Sequence, residues 1–207
     1  TSRELAEKVE RLGASLSVSS SDDFTIVSAS ALTMYAGEIL DLIAEVVFRP
    51  TFPEDELDLY RRNTIENLKF QRSQPNFLAN EQTARILYGD HPYGIISPKP
   101  ADVERLTRDE LVKLNRERMV PNNAVLIAVG DVERDELLSK IEEHFGDWPG
   151  REVKPPRPAK PAARNARSIT IVDRPGSAQA NIILANRGVP RIHPDYFPLI
   201  VMNQVLG

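Results

Sequence analysis

Apolar positions along the chain fall into two kinds of period, and each kind predicts an element. Leu5, Val9 and Leu12 recur at helical spacing after Thr1, and Glu4 three residues later completes a capping box, so a helix is expected from the start of the chain to Gly13. ASLSVSS (14–20) and DFTIVSASA (23–31) alternate apolar and polar on either side of the polar corner SSSDD, the pattern of an antiparallel strand pair. TMYAGEILDLIAEVVF (33–48) is an apolar helix stopped by Pro50. PEDELDLYRRNTIENLKFQRSQ opens on proline and acids, as a helix N-terminus should, and Pro75 breaks it before a further helix, NFLANEQTARILYG (76–89).

The segment DHPYGIISPKPADVERL reads mostly as loop, and Thr107 with Glu110 then caps a helix reaching Arg118. AVLIAVGDV (124–132) reads as a buried strand, with Asp131 placed to cap the helix ERDELLSKIEEHFGDW. Residues 149–167, PGREVKPPRPAKPAARNAR, have a linker composition. Beyond them SITIVDRP and QANIILANRG read as strands and HPDYFPLIVMNQVLG as an amphipathic helix. Helices and strands do not alternate strictly, so the expected class is α+β rather than a doubly wound sheet.

Composition narrows the function more than it defines it. The 207 residues are 41% hydrophobic and 27% charged, an ordinary globular balance. The 26 basic residues are dispersed among 30 acidic ones, which argues against nucleic acid as a partner. Without cysteine there is no disulfide, thiolate metal site or cysteine nucleophile. No run is long enough for a membrane-spanning helix. Because the chain opens inside a helix and stops at NQVLG, it is expected to be a piece of a longer protein.

Candidate chemistry is sparse. His91, His144 and His193 are far apart in sequence, and no helix offers two imidazoles at metal-binding spacing. His91 and His193 each precede a proline and read as turn residues, and His144 suits the last turn of its helix. Gly130 lies between a predicted strand and a helix, but no second glycine follows and Asp131 would repel a phosphate.

The succession from TSRELAEKVERLGASLSVSSSDDFT through VVFRPTFPEDEL, LYGDHPYG and VPNNAVLIAVGDV to HFGDWP resembles the pitrilysin/insulinase family of zinc peptidases, which includes mitochondrial processing peptidase and non-catalytic relatives. The resemblance runs through essentially the whole chain. It implies a two-layer α/β domain, mostly antiparallel sheet with helices packed on it. Residues 1–148 would be the C-terminal part of the first domain, 149–167 the Pro-rich linker, and 168–207 the truncated start of a second, homologous domain.

In active members the resemblance implies an inverted His-x-x-Glu-His on a helix that would precede Thr1, with a third zinc ligand, a glutamate, on the helix matching LYRRNTIENLKFQ. Two glutamates seven residues apart mark that helix, and their positions fall here on Tyr60 and Asn67, with Glu66 adjacent but out of phase. Seven residues turn a helix by about 700°, so Tyr60 and Asn67 share one face to within about 20°. With Leu57, Thr64 and Leu68 that face is expected to point inward, while Glu66, about 100° away, faces solvent with Arg62. A neutral amide is a weaker zinc donor than a carboxylate, and a phenol lacks the charge to orient the site.

With these residues at 60 and 67, the resemblance implies a chain inactive on its own that binds no cofactor, zinc belonging to the active members. Its partner would be a catalytic zinc-peptidase subunit or the other half of the same chain, and it would help enclose peptide substrate. Phe24, Ile26 and Ser28 on the second predicted strand are candidates for pairing with extended substrate. Two alternatives remain. One is a fragment of an active endopeptidase with Glu66 as third ligand, and the other is an assembly subunit without proteolytic function. The residues leave the compartment open, and the resemblance gives periplasm a mild preference over cytoplasm.

Overall fold

The computed structural model describes residues 1–163 and 166–206, and they divide into two compact units. The first unit comprises Thr1–Asn67 and Lys99–Arg157. It opens with α1 (Ser2–Arg11), capped as expected: the Glu4 N–H donates to Thr1 Oγ1, and Gly13 leaves the helix at φ +57°, a conformation suited to a residue without Cβ. β1 (Ser15–Ser20) and β2 (Thr25–Ser30) pair antiparallel, with Ser15 opposite Ser30, Val18 opposite Val27 and Ser20 opposite Thr25. Ser21 makes the turn, its N–H and hydroxyl donating to the Phe24 carbonyl. Leu16, Val27 and Ala29 are half-buried, while the serines that alternate with them stay exposed.

The core of this unit is built on α2 (Ala36–Phe48), where Ile39, Leu40, Leu42 and Ala44 are buried. Leu57 of α3 (Glu54–Arg72), Val103 of the short α5 (Pro100–Arg105) and Val120 are buried as well. At the end of α2, Phe48 stacks on Trp148 at 5.6 Å, and Phe145 from α7 (Arg134–Phe145) lies 6.2 Å from both rings. Such a cluster combines a large apolar burial with geometry-dependent ring contacts. The Trp148 indole N–H donates to the Met119 carbonyl at 3.1 Å, so the ring is held at both its apolar and its polar ends.

Polar side chains fasten carbonyls at helix ends and in loops of this unit. Asn115 of α6 (Arg108–Arg118) donates to the Val47 carbonyl at 2.9 Å. Arg108 donates to the carbonyls of Thr51 and Phe52, both at 3.0 Å. Phe52 has φ +46°, an unfavourable value for a bulky residue, and the Arg108 fork holds the backbone on both sides of its nitrogen in that shape. Arg61 donates through both Nε and Nη2 to the Leu106 carbonyl, the C-cap of α5, and also pairs with Asp58 and Glu54.

The second unit comprises Leu68–Pro98 and the chain from Pro158 onward. Pro75 occupies the first turn of α4 (Pro75–Tyr88), where its missing N–H costs nothing, and Gly89 ends the helix. Tyr88, His91 and Tyr93 cluster at its end, with His91 Nδ1 accepting from the Tyr93 N–H at 3.2 Å. The last helix, α8 (Tyr196–Leu206), begins beneath Arg191, whose guanidinium lies over the rings of Tyr196 and Phe197.

The structure is therefore helix-rich with a small antiparallel sheet, within the expected α+β class, but three expected strands are not formed. AVLIAVGDV, SITIVDRP and QANIILANRG have no ladder partner among the described residues; Val129, in the segment expected to be buried, is 95% exposed, and Ile169 and Leu184 are 93% and 96% exposed. Alternation makes a segment fit to be a strand, but only a neighbouring strand satisfies its backbone N–H and C=O groups. Nor does Asp131 cap α7: the N-cap is Glu133, with no side-chain hydrogen bond.

Candidate functional site

The helix singled out by the sequence is α3, the longest helix described, at 19 residues. Glu54, Asp55 and Glu56 in its first turn and Lys69 and Arg72 in its last complement the helix dipole at both ends. Its buried line runs through Leu57 and Leu68, 5% and 4% exposed, with Arg61, Thr64 and Ile65 half-buried between them.

Tyr60 and Asn67 do not lie on that line. Tyr60 is 56% exposed and Asn67 is exposed, which corrects the expectation of an inward stripe. At 100° per residue they stand about 60–80° to one side of Leu57, sharing a flank, and the buried positions are those of Leu57 and Leu68, with Arg61 half-buried beside them. Glu66, also exposed, falls nearly opposite Leu57. The shared face of Tyr60 and Asn67 stands; its burial does not.

The donor set on this flank is a phenol and an amide, and that chemistry does not fit a zinc ion. Neither group supplies the negative charge that offsets the metal's when imidazoles complete the site. No histidine, carboxylate or thiol completes a group of three among the described residues. The histidines have other contacts. His144 Nδ1 lies 3.8 Å from Asp41, which also accepts from Arg49 at 2.7 Å; His91 belongs to the turn just described; and His193 Nδ1 accepts from the Asp195 N–H at 3.2 Å.

The candidate substrate strand is placed more simply. β1 and β2 form a two-stranded sheet, so among the described residues each has one edge without a neighbouring strand. Ile26 and Ser28 lie within β2 opposite Ser19 and Ser17, Phe24 immediately precedes it, and all three are exposed.

One polar cluster gave no signal in the sequence. Glu81 on α4 accepts from Ser97 Oγ at 2.8 Å and from Arg72 Nη2 at 3.2 Å, while the buried Arg72 Nε has no partner among the described residues. Burial pushes the Glu81 carboxyl up, but its bonds to Ser97 and Arg72 outweigh that and hold it below the usual carboxylate range. The three residues are 9 and 16 positions apart, spacings that belong to no motif. Arg61 was likewise unremarkable in sequence, one cation among several on a charged helix.

Comparison with known proteins places these features in a family. The model of the insulinase family, peptidase family M16, matches residues 1–100, and that of the peptidase M16 inactive domain matches residues 105–207. An uncharacterized zinc protease of Mycobacterium leprae is 26% identical over 211 residues, spanning 100% of this chain and 47% of that protein. One of Bacillus subtilis is 25% identical over 208 residues, 100% of this chain and 50% of its own. A probable mitochondrial-processing peptidase subunit beta of Schizosaccharomyces pombe is 24% identical, covering 96% of this chain and 44% of the subunit. The crystal structure of a peptidase M16 inactive domain from Pseudomonas fluorescens superposes with a TM-score of 0.69 at 26% identity, over 77% of this chain and 40% of that one. The chain thus spans about half the length of the curated relatives it matches.

Proposed function

Because the chain belongs to the insulinase family of zinc peptidases, peptidase family M16, we propose that it is part of a non-catalytic half or subunit, which encloses and positions peptide for a zinc-bearing partner. One observation carries this reading: α3 presents Tyr60 and Asn67 at the two positions where the resemblance calls for carboxylates. The match of residues 105–207 to the inactive-domain model supports it.

The work left to such a half is geometric. Holding an extended peptide removes its translational and rotational freedom before a reactive group meets it, without this chain supplying that group. β2 offers backbone donors and acceptors along an edge that has no strand beside it among the described residues, and Phe24 and Ile26 offer apolar surface next to them. Ser28 adds a hydroxyl on the same strand. Zinc, when bound by the partner, would supply an activated water there.

A second reading is favoured by the zinc-protease names of the bacterial relatives and by Glu66 next to Asn67: an active endopeptidase whose metal takes Glu66. The two readings separate in one experiment on the full-length protein, alone and mixed with the product of its neighbouring gene. Metal content and cleavage of a quenched peptide are measured on both samples. Zinc and cleavage only in the mixture support the non-catalytic role. Stoichiometric zinc with cleavage in the protein alone overturns it.

A further inference from the structure

The segment between α7 and the final stretch carries a three-residue period that linker duty does not require. Basic residues stand at 151, 154, 157 and 160, and prolines at 155, 158 and 161. The remaining line, 153, 156, 159 and 162, holds valine, proline and two alanines. Proline fixes its own φ near −65°, and the residue before a proline is held extended. Between 154 and 161 only Ala159 escapes both restraints.

That set of restraints selects a polyproline II helix, with three residues per turn and about 3.1 Å of rise per residue. A period of three in sequence is then one face in space. On such a helix Lys154, Arg157 and Lys160 would stand in a single row of cations about 9 Å apart, with Arg151 in the same phase just before the restrained run. Pro155, Pro158 and Pro161 form the second face, which Glu152 ends, and Val153, Pro156, Ala159 and Ala162 form the third. The rod is amphipathic, with one charged edge and two apolar ones.

In the structure residues 154–160 are exposed, and hydrogen bonds fall on the backbone to either side of 155–160. Residues 151–163 contain no helix or strand. In the first unit the Asn122 amide brackets Arg151, donating to its carbonyl at 2.6 Å and accepting from its N–H at 3.1 Å. Arg118 donates to the Lys154 carbonyl at 3.4 Å. In the second unit Arg187 donates to the carbonyls of Pro161 and Ala162 at 3.0 and 2.7 Å. Among the described residues, none of these hydrogen bonds or ion pairs falls on 155–160. Charge sets the segment apart as well: residues 149–167 hold six basic residues against one acidic, net +5, whereas residues 1–148 hold 17 against 27, net −10.

We propose that residues 151–162 are a docking ligand, read as a polyproline II rod by a partner protein whose groove is lined with aromatic rings and edged with carboxylates. Aromatic rings take the prolyl and small apolar faces, and the carboxylates pair with the cation row. The run Pro155-x-x-Pro158-x-Lys160 presents two prolines three residues apart with a cation beyond them, which sets both register and direction. An anionic lipid surface would engage only the cation row and would leave the period of the other two faces without a use. This inference does not rest on the peptidase kinship.

The test titrates the full-length protein into an isotope-labelled SH3 domain that has an aromatic groove with an acidic pocket, followed by NMR. Saturable shifts in the groove are expected at micromolar concentrations. Pro155→Ala with Pro158→Ala should weaken binding at least about tenfold, as should Arg157→Glu with Lys160→Glu. A variant with residues 151–162 shuffled, keeping composition and charge, should not bind. Helical circular dichroism unchanged from the parent shows that each variant is folded. Absence of shifts at millimolar protein overturns the proposal. So does affinity that survives the proline changes or the shuffling, or equal binding of parent and shuffled chains to phosphatidylserine vesicles in place of the domain.

Discussion

Removing the Arg61 side chain gives the most quantitative check on how α3 is held. Arg61 is 19% exposed, and its guanidinium sends two N–H groups to one acceptor, the carbonyl at the C-cap of α5. That carbonyl has lost its helical partner by position, so the fork completes it. A hydrogen bond from a charged donor contributes about 1.5–3 kcal/mol, and a partly buried carbonyl left without a donor costs about 1–3 kcal/mol. The pairs with Asp58 and Glu54 add little, because those carboxylates are more than half exposed. The two carbonyl bonds share one acceptor and are not additive, so Arg61→Ala should cost about 2–3 kcal/mol. With a urea dependence of about 2 kcal/mol per molar, the midpoint should fall by about 1–1.5 M at unchanged slope. Arg61→Lys keeps the charge but not the fork and should recover less than half of the loss. Amide exchange in α5 should accelerate in both variants. An Arg61→Ala midpoint within about 0.2 M of the parent, or a lysine variant equal to the parent, would refute the reasoning.

Three further outcomes are expected. Glu81→Gln should remove part of the acid-limb pH dependence of stability: the lowered Glu81 carboxyl stabilises the fold above its unfolded value of 4.5, and that contribution is lost as pH falls through the lower folded value, so parent and variant melting curves should converge in acid. Gly94→Ala should destabilise by about 1–3 kcal/mol, since a Cβ at this buried position would sit 2.4 Å from the Gly89 carbonyl oxygen, which is backbone and cannot swing aside; a thermal melt unchanged from the parent would contradict this. Glu66→Ala in the full-length protein should leave zinc content and cleavage by the assembled mixture within about twofold of the parent, whereas a loss of about 100-fold would place Glu66 at the metal and favour the active reading.

The sequence by itself determined whatever is decided within a few residues. Thr1 with Glu4 and Thr107 with Glu110 close capping boxes, Gly13 and Gly89 end helices, Pro75 separates α3 from α4, and the serines around 15–30 set a hairpin in its register. The identity of the residues at 60 and 67, and their common face, were also legible, since helical phase needs only counting. What required tertiary structure was everything with a distant partner. Whether 124–132, 168–175 or 179–188 becomes a strand depends on a neighbouring edge, and alternation cannot supply one. Which line of α3 is buried was decided by what packs on Leu57, Arg61 and Leu68, and it moved Tyr60 to the exposed side. The clamps made by Arg61, Arg108 and Asn115 join residues 45, 56 and 68 positions apart, through carbonyls that no side-chain pattern announces. Local chemistry is written along the chain, whereas burial and pairing are properties of which segments meet.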